Sequence, residues 1–364
     1  LVGMASMFLT YYFLRQTMVS VDGELLYTTH RQQAISAIVL IIATMLPVVL
    51  LEMLFMKTHA SAQSGMNWKL RRAINWRRIG FKLTTLIVTY GIIGAIYWLF
   101  PLFEGGDYPR FYKMLELALP AIAVLSIPYV VLVDKFMAEP EDEYYHIGRA
   151  LLGDKSGLSR EMVNHHLRAW SVKGFFLPLM LSFLGNNLSY TLVGSFNWLE
   201  LDLINMYHNV FLFLYLVDLV FGAAGYVFTF RLFGTNIKTV EPTVLGWGAC
   251  LICYPPAWEV MSRSFAQYER DNIEWYGWLE PGEPMFFFFM FMVLGLSFIY
   301  ALATVIFGAR FSNLTNRGII TGGPYRWTKH PAYLSKNLSW WFIGVPFLPM
   351  MGWDIAVKSC VGLL

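Results

Sequence analysis

The sequence predicts an all-α, polytopic helical membrane protein with about nine full transmembrane spans plus a clipped tenth. Three observations carry that expectation. Of the 364 residues, 57% are hydrophobic and only 14% charged, where a soluble domain carries about 25% charged residues. The apolar residues gather in long runs, many near the 20 or so residues that cross a bilayer as a helix. Lys and Arg then alternate in abundance from one connecting loop to the next. A mean hydropathy of +0.50 and an aromatic content of 17% suit a chain whose solvent is lipid. They exclude a secreted disulfide scaffold, a disordered chain and a typical nucleic-acid binder. The three cysteines, Cys250, Cys253 and Cys360, make no disulfide framework.

In chain order the apolar runs lie at 1–14, 34–56, 80–101, 117–135, 174–196, 205–230, 244–262, 284–308 and 337–354, and a tenth begins near 355. Strands of a membrane barrel would be about ten residues long and would alternate in hydropathy, so they are excluded. The chain opens on Leu1 rather than Met, as expected of a processed start or a fragment. Loops 57–79, 134–173, 231–243 and 309–336 hold 19 Lys and Arg, against 6 in the intervening loops. The excess of positive charge on cytoplasmic loops sets the first group in the cytoplasm, the 309–336 loop included. Loop 57–79 is the strongest anchor, with Lys69, Arg71, Arg72, Arg77 and Arg78 and no acid. A topology determinant accounts for it, with binding of acidic lipid headgroups as the alternative. Glu269, Asp271, Glu274, Glu280 and Glu283 collect on the opposite side. Few cysteines and short loops point to a bacterial inner membrane.

No internal repeat stands out. The longest polar stretch, 136–173, begins with Glu139, Glu141, Asp142 and Glu143 and ends in an amphipathic helix to about 171, with Ser159 as its N-cap. His165 and His166 are neighbours in that helix and point to different faces, so they share no metal, and no metal site is expected.

The chemistry concentrates in Thr321-Gly-Gly-Pro-Tyr-Arg-Trp-Thr-Lys-His-Pro-Ala-Tyr-Leu-Ser-Lys-Asn337. Gly322-Gly323-Pro324 is a turn. Pro331 biases His330 away from helical geometry and suits the first turn of a following helix. Arg326, Lys329 and His330 therefore gather at a helix N-terminus on the membrane surface, where the dipole favours a carboxylate or phosphate. Tyr325, Trp327 and Tyr333 offer ring faces to a flat ring or a sulfonium cation.

This segment resembles the Gly-Pro-Tyr-x-x-x-Arg-His-Pro-x-Tyr-x-Gly signature of the isoprenylcysteine carboxyl methyltransferases and the related phospholipid N-methyltransferases. Those are integral membrane enzymes that use S-adenosylmethionine (SAM). The resemblance implies a cofactor pocket open to the cytosol, with His330, Pro331 and Tyr333 binding SAM and Tyr325, Arg326, Lys329, Ser335 and Asn337 beside them. It implies transfer of a methyl group to a hydrophobic or lipid-like acceptor. The signature covers 17 residues, and the order of spans from 205 onward suits it. Residues 205–364 are thus read as a methyltransferase-like core. Residues 1–200 are an additional helical region of unknown role, suited to protein partners. Lys329 stands in place of the usual Arg, and Ser335 in place of the usual Gly. The family's Arg-Glu-Glu element is absent, so the acidic pair is expected beyond Leu364.

Three other readings stay open. An NADPH-dependent sterol-reductase-like enzyme shares a His-x-x-Tyr segment, although Pro331 and the lack of a following Gly-Glu count against it. A non-catalytic subunit of a membrane complex would keep the fold without the activity. A transporter using Asp218 and Glu259 would show a repeat that this chain lacks.

Asp218 lies mid-span, where a carboxylate is costly, and either orients an acceptor or bonds a neighbouring helix. His208 is ten residues earlier, about 15 Å along a helix, too far to pair with it. Glu259 follows Pro255-Pro256, which must break the 244–262 span. Asn186 and Asn187 suit interhelical hydrogen bonds, and Glu52 suits a pair near the cytoplasmic end. Cys250-Leu-Ile-Cys253 sits in an apolar helix as packing rather than redox chemistry. Phe286–Met290 reads as lipid-facing bulk, and Trp275, Trp278 and Trp353 as an outer aromatic belt.

Overall fold

The computed structural model describes residues 1–18, 29–70, 72–100, 108–193, 202–261, 274–344 and 352–363. The fold is all-α apart from one two-stranded sheet. Six helices among these residues are long and apolar enough to cross a membrane: α2 (His30–Phe55), α3 (Trp76–Leu99), α4 (Tyr108–Phe136), α6 (Arg160–Val193), α7 (Leu203–Val227) and α10 (Pro284–Phe307). Two further helices precede and divide this set, α1 (Val2–Met18) and the short α5 (Glu143–Leu151).

Six replaces the expected nine and a tenth. The count fails where composition is apolar but the helical ladder is short. α1 has 17 residues. The 244–262 run is cut by Pro255-Pro256 into α8 (Val244–Leu251) and α9 (Ala257–Val260), since proline offers no N–H to the helix. The 337–354 run begins early, as α11 (Pro331–Gly344), and has only 14 helical residues; 345–351 lie outside the described residues. The tenth is α12 (Trp353–Leu363), of 11 residues.

Several helices start where their sequence supplies a cap. Thr29, Asn75, Asp142, Asp202 and Thr243 each accept from a first-turn backbone N–H with the side-chain oxygen. Ser159 Oγ likewise accepts from Met162 N at 3.1 Å. The helix it opens does not stop near 171 but runs on through the next span as one 34-residue element.

The four basic loops meet at one end of the bundle. Met66 bridges Met137, and Arg72 donates to the Met137 carbonyl at 2.7 Å. β1 (Thr239–Val240) pairs antiparallel with β2 (Thr315–Asn316). Arg78 grips Asp134 with two hydrogen bonds of 2.7 and 2.6 Å, and Lys82 reaches Asp134 at 3.1 Å and Asp142 at 3.4 Å. Glu52 pairs with Arg310 at 3.4 Å.

Aromatic packing closes the other end. Trp275 is fully buried, 5.0 Å from Tyr207 and 4.8 Å from Phe286 between ring centroids. Phe286, Phe289 and Met290 are buried in the same cluster. Neither Trp275 nor this part of the Phe286–Met290 run faces lipid, as the sequence suggested; Phe288 and Trp353 do remain exposed.

At the basic end, Arg317 is only 2% exposed. Its Nε donates to the Thr235 carbonyl at 2.6 Å, and its Nη1 to the Gly225 and Phe311 carbonyls, both at 2.8 Å. Burial pushes this guanidinium below its ordinary value, and the carbonyls oppose that by solvating the charge. Arg317→Ala should cost about 3 kcal/mol, as expected when charged hydrogen bonds are lost and buried carbonyls are left without donors. Arg317→Lys should recover only part of it. Thermal unfolding in detergent reads both, and an unchanged midpoint for Arg317→Ala would remove the staple role.

Candidate functional site

The 322–337 segment folds as a tight turn leading into α11. Gly323 takes φ +57° with Ile306 of α10 directly against it, leaving no room for a side chain. Pro324 is buried, and Tyr325 stands edge-on to Phe307 at 5.0 Å. Burial raises the Tyr325 phenol above its ordinary value, so it is a neutral donor at physiological pH. Pro331 opens α11, where its missing N–H costs nothing.

Arg326, Trp327, Lys329 and His330 all project outward, Trp327 with 87% of its surface exposed. The His330 ring lies 6.0 Å from that of Tyr333, which is also exposed. Asn337 is exposed one turn further on. The structure thus gathers three cationic or titratable side chains and two exposed ring faces around one helix N-terminus. Ser335 is buried, but its hydroxyl turns back to donate to the Pro331 carbonyl at 2.7 Å. The Ser335 hydroxyl is therefore satisfied within its own helix.

Asp218 is buried on α7 and clamped by α10. Tyr300 donates to Oδ2 at 2.7 Å, and Thr304 to Oδ1 at 2.5 Å. Lys336 of α11 sits over the Tyr300 ring at 5.4 Å and the Trp340 ring at 4.8 Å. Asp218 is thereby joined to the motif helix through a shared tyrosine. Glu259 is exposed on α9 and is not among the partners of Asp218. Of the residues singled out in the sequence, then, the structure joins Asp218 to the motif through Tyr300. Tyr300, Thr304 and Lys336 escaped notice. Two hydroxyl residues four apart on an otherwise apolar span were the available signal for the first two.

Elsewhere at the same end, an open groove of about 730 Å³ lies between α5, α6 and β1, lined by Glu143, Arg160, His165, Arg168 and Lys238 among others. His165 Nδ1 pairs with Glu143 at 2.6 Å, and His166 Nε2 meets Thr89 Oγ1 at 2.9 Å. The adjacent histidines do serve different partners. Among the described residues, no three His, Cys, Asp or Glu side chains are grouped to hold a metal. The Cys250 thiol is pushed up to about 11 by burial and is protonated at neutral pH.

No family model, curated protein or solved structure matches the chain. The family resemblance therefore rests on the residues of the 321–337 segment alone.

Tyr300→Phe and Thr304→Val should each destabilise the protein by about 1–3 kcal/mol, because each removes a donor from a buried carboxylate. The double variant should cost more than the sum, and Asp218→Asn in that background should recover part of the loss. A double-mutant cycle on unfolding free energies in detergent measures this. Additive losses would mean that the two hydroxyls do not share one acceptor.

Proposed function

We propose that the protein is an integral membrane SAM-dependent methyltransferase acting on a hydrophobic or lipid-like acceptor at the cytosolic face. The observation that supports this reading is the helix entrance at Pro331, which Arg326, Lys329 and His330 precede by one to five residues, all exposed. That donor set fits the carboxylate of SAM. Trp327, Tyr333 and the edge of Tyr325 fit its flat base and its sulfonium. The basic end of the bundle is the cytoplasmic side by its excess of Lys and Arg, and few cysteines suit a bacterial inner membrane.

SAM supplies a methyl group already activated for transfer on its sulfonium. The protein's own task is to hold an acceptor in line with that group at about 3 Å and to exclude water. Arg326 and Lys329 bind and orient by charge. His330, held beside Tyr333, donates a hydrogen bond from its ring. Tyr325 is fixed by Phe307 and offers a neutral hydroxyl. Asp218, which shares Tyr300 with Lys336, is a buried carboxylate suited to receive or balance a proton. An acceptor that partitions into lipid can approach sideways beside the interrupted α8–α9 segment, which has fewer helical turns than a full span. Metal and nucleophilic side chains are not needed for this chemistry.

Purified protein in detergent should bind SAM saturably, and His330→Ala should weaken it at least about tenfold, or 1.4 kcal/mol. Arg326→Ala should act in the same direction. A well-folded protein that binds no SAM would end this reading. NADPH binding in its place would transfer the site to a reductase.

A further inference from the structure

Lys336 is a cation held by rings. Its ammonium lies 5.4 Å from the centroid of Tyr300 and 4.8 Å from that of Trp340. Trp340 in turn stacks on Trp258 of α9, with centroids 5.7 Å apart and planes inclined by 27°. The hydroxyl of Tyr300 donates to Asp218, so a carboxylate stands behind one wall of the arrangement and attracts the ammonium electrostatically. α10 and α11 contribute the two rings that face the ammonium, α9 backs Trp340 with Trp258, and α7 contributes the charge behind Tyr300.

A primary ammonium is a poor chemical match for such a surface. It is strongly hydrated and carries three N–H donors. Ring faces attract its charge but leave those donors without conventional acceptors. A methylated onium group, whether sulfonium or quaternary ammonium, carries the same charge with no N–H to satisfy, and aromatic cages recognise such groups. Lys336 also has the means to leave. Its four-carbon stem starts near the beginning of α11 and can carry the ammonium outward to the headgroup region.

We infer that the Tyr300 and Trp340 rings, with Trp258 stacked on Trp340, form a binding site for a methylated onium cation, with Lys336 as the resident cation that the ligand displaces. The site accepts the shared chemistry of two sources, a small sulfonium compound or the quaternary ammonium of a lipid headgroup. It goes beyond the methyltransferase reading and stands without it, because onium binding requires neither SAM nor turnover.

The test is titration of the full chain, in a maltoside detergent free of choline groups, with trimethylsulfonium and with tetramethylammonium. Saturation-transfer NMR on the methyl protons reads binding. Lys336→Met should bind at least one of the two about tenfold more tightly than the unsubstituted protein, and adding Trp340→Leu should abolish the gain. Lys336→Gln serves the same purpose if the Met variant does not fold. The unsubstituted protein supplies a third measurement, a weak saturable signal that Trp340→Leu removes. Preference for trimethylsulfonium supports the site as a sulfonium site. Preference for tetramethylammonium, reproduced with glycerophosphocholine, supports it as a headgroup site. Absence of saturable binding to folded protein in all forms overturns the inference, as does binding that Trp340→Leu leaves unchanged. SAM binding that fails while onium binding persists removes the proposed function and leaves this site in place.

Discussion

Arg317 donates to the carbonyls of Gly225, Thr235 and Phe311 from a nearly solvent-free position. Those carbonyls belong to the last turn of α7, the connection that leaves it, and the turn that follows α10. The last carbonyls of a helix have no acceptor role within it, and in a protein interior each needs a donor from elsewhere. A planar guanidinium supplies several donors at once with a charge that the C-terminal end of a helix dipole favours. One side chain therefore fixes the ends of α7 and α10 side by side. Gly225 makes the approach possible, since a Cβ there would fall 2.5 Å from the Phe311 carbonyl oxygen. With those ends in register, Asp218 faces Tyr300 and Thr304 one to two turns deeper.

The rest of the basic end is built on the same principle of satisfied charge. Asp134 would be costly as a lone buried carboxylate, yet Arg78 and Lys82 both reach it, and Lys82 extends the network to Asp142. This ties α3 and α4 to the start of α5. The opposite end is packed differently among the described residues. There Tyr207, Trp275, Phe286 and Phe289 pack ring against ring. Buried ion pairs tie the elements at the basic end, and ring packing ties α7 to α10 at the other.

Much of this could be read from the sequence, and the failures have physical causes. The six long helices coincide with apolar runs that carry at most isolated prolines, such as Pro47, Pro178 and, eight residues apart in α4, Pro120 and Pro128. Hydropathy overcounted where it measured composition alone. The Pro255-Pro256 pair was visible as a breaker, but its effect on span length follows only when the hydrogen-bond ladder is followed on both sides. The Phe286 run was assigned to lipid because a sequence does not show which face of an all-apolar helix is buried. Asp218 stood out by its cost at that depth. Its partners lie 82 and 86 residues away, a separation that no local pattern reports. Lys336 was hidden by its neighbours, because among Arg326, Lys329 and His330 it read as one more surface cation.

Depth decides what the buried polar group can do. Asp218 lies nine residues before the end of α7, about 14 Å along the axis. Tyr300 and Thr304 lie seven and three residues before the end of α10, about 10 and 5 Å from it. Lys336 is five residues into α11, about 8 Å from its start. The bonded groups thus lie on the basic side of the midpoints of α7 and α10, with Asp218 only three residues past the centre of its 25-residue helix. A carboxylate at that depth needs internal compensation. At this level two hydroxyls hold it, and a flexible lysine bridges from the surface without a direct ion pair. The same placement puts a negative charge within one ring of the motif helix, while Arg326, Lys329 and His330 stay in the aqueous boundary. An amphiphile approaching α11 from the membrane would meet positive charge at the surface first and aromatic faces backed by Asp218 beneath it, an order set by the register of α7 against α10 and hence by Arg317.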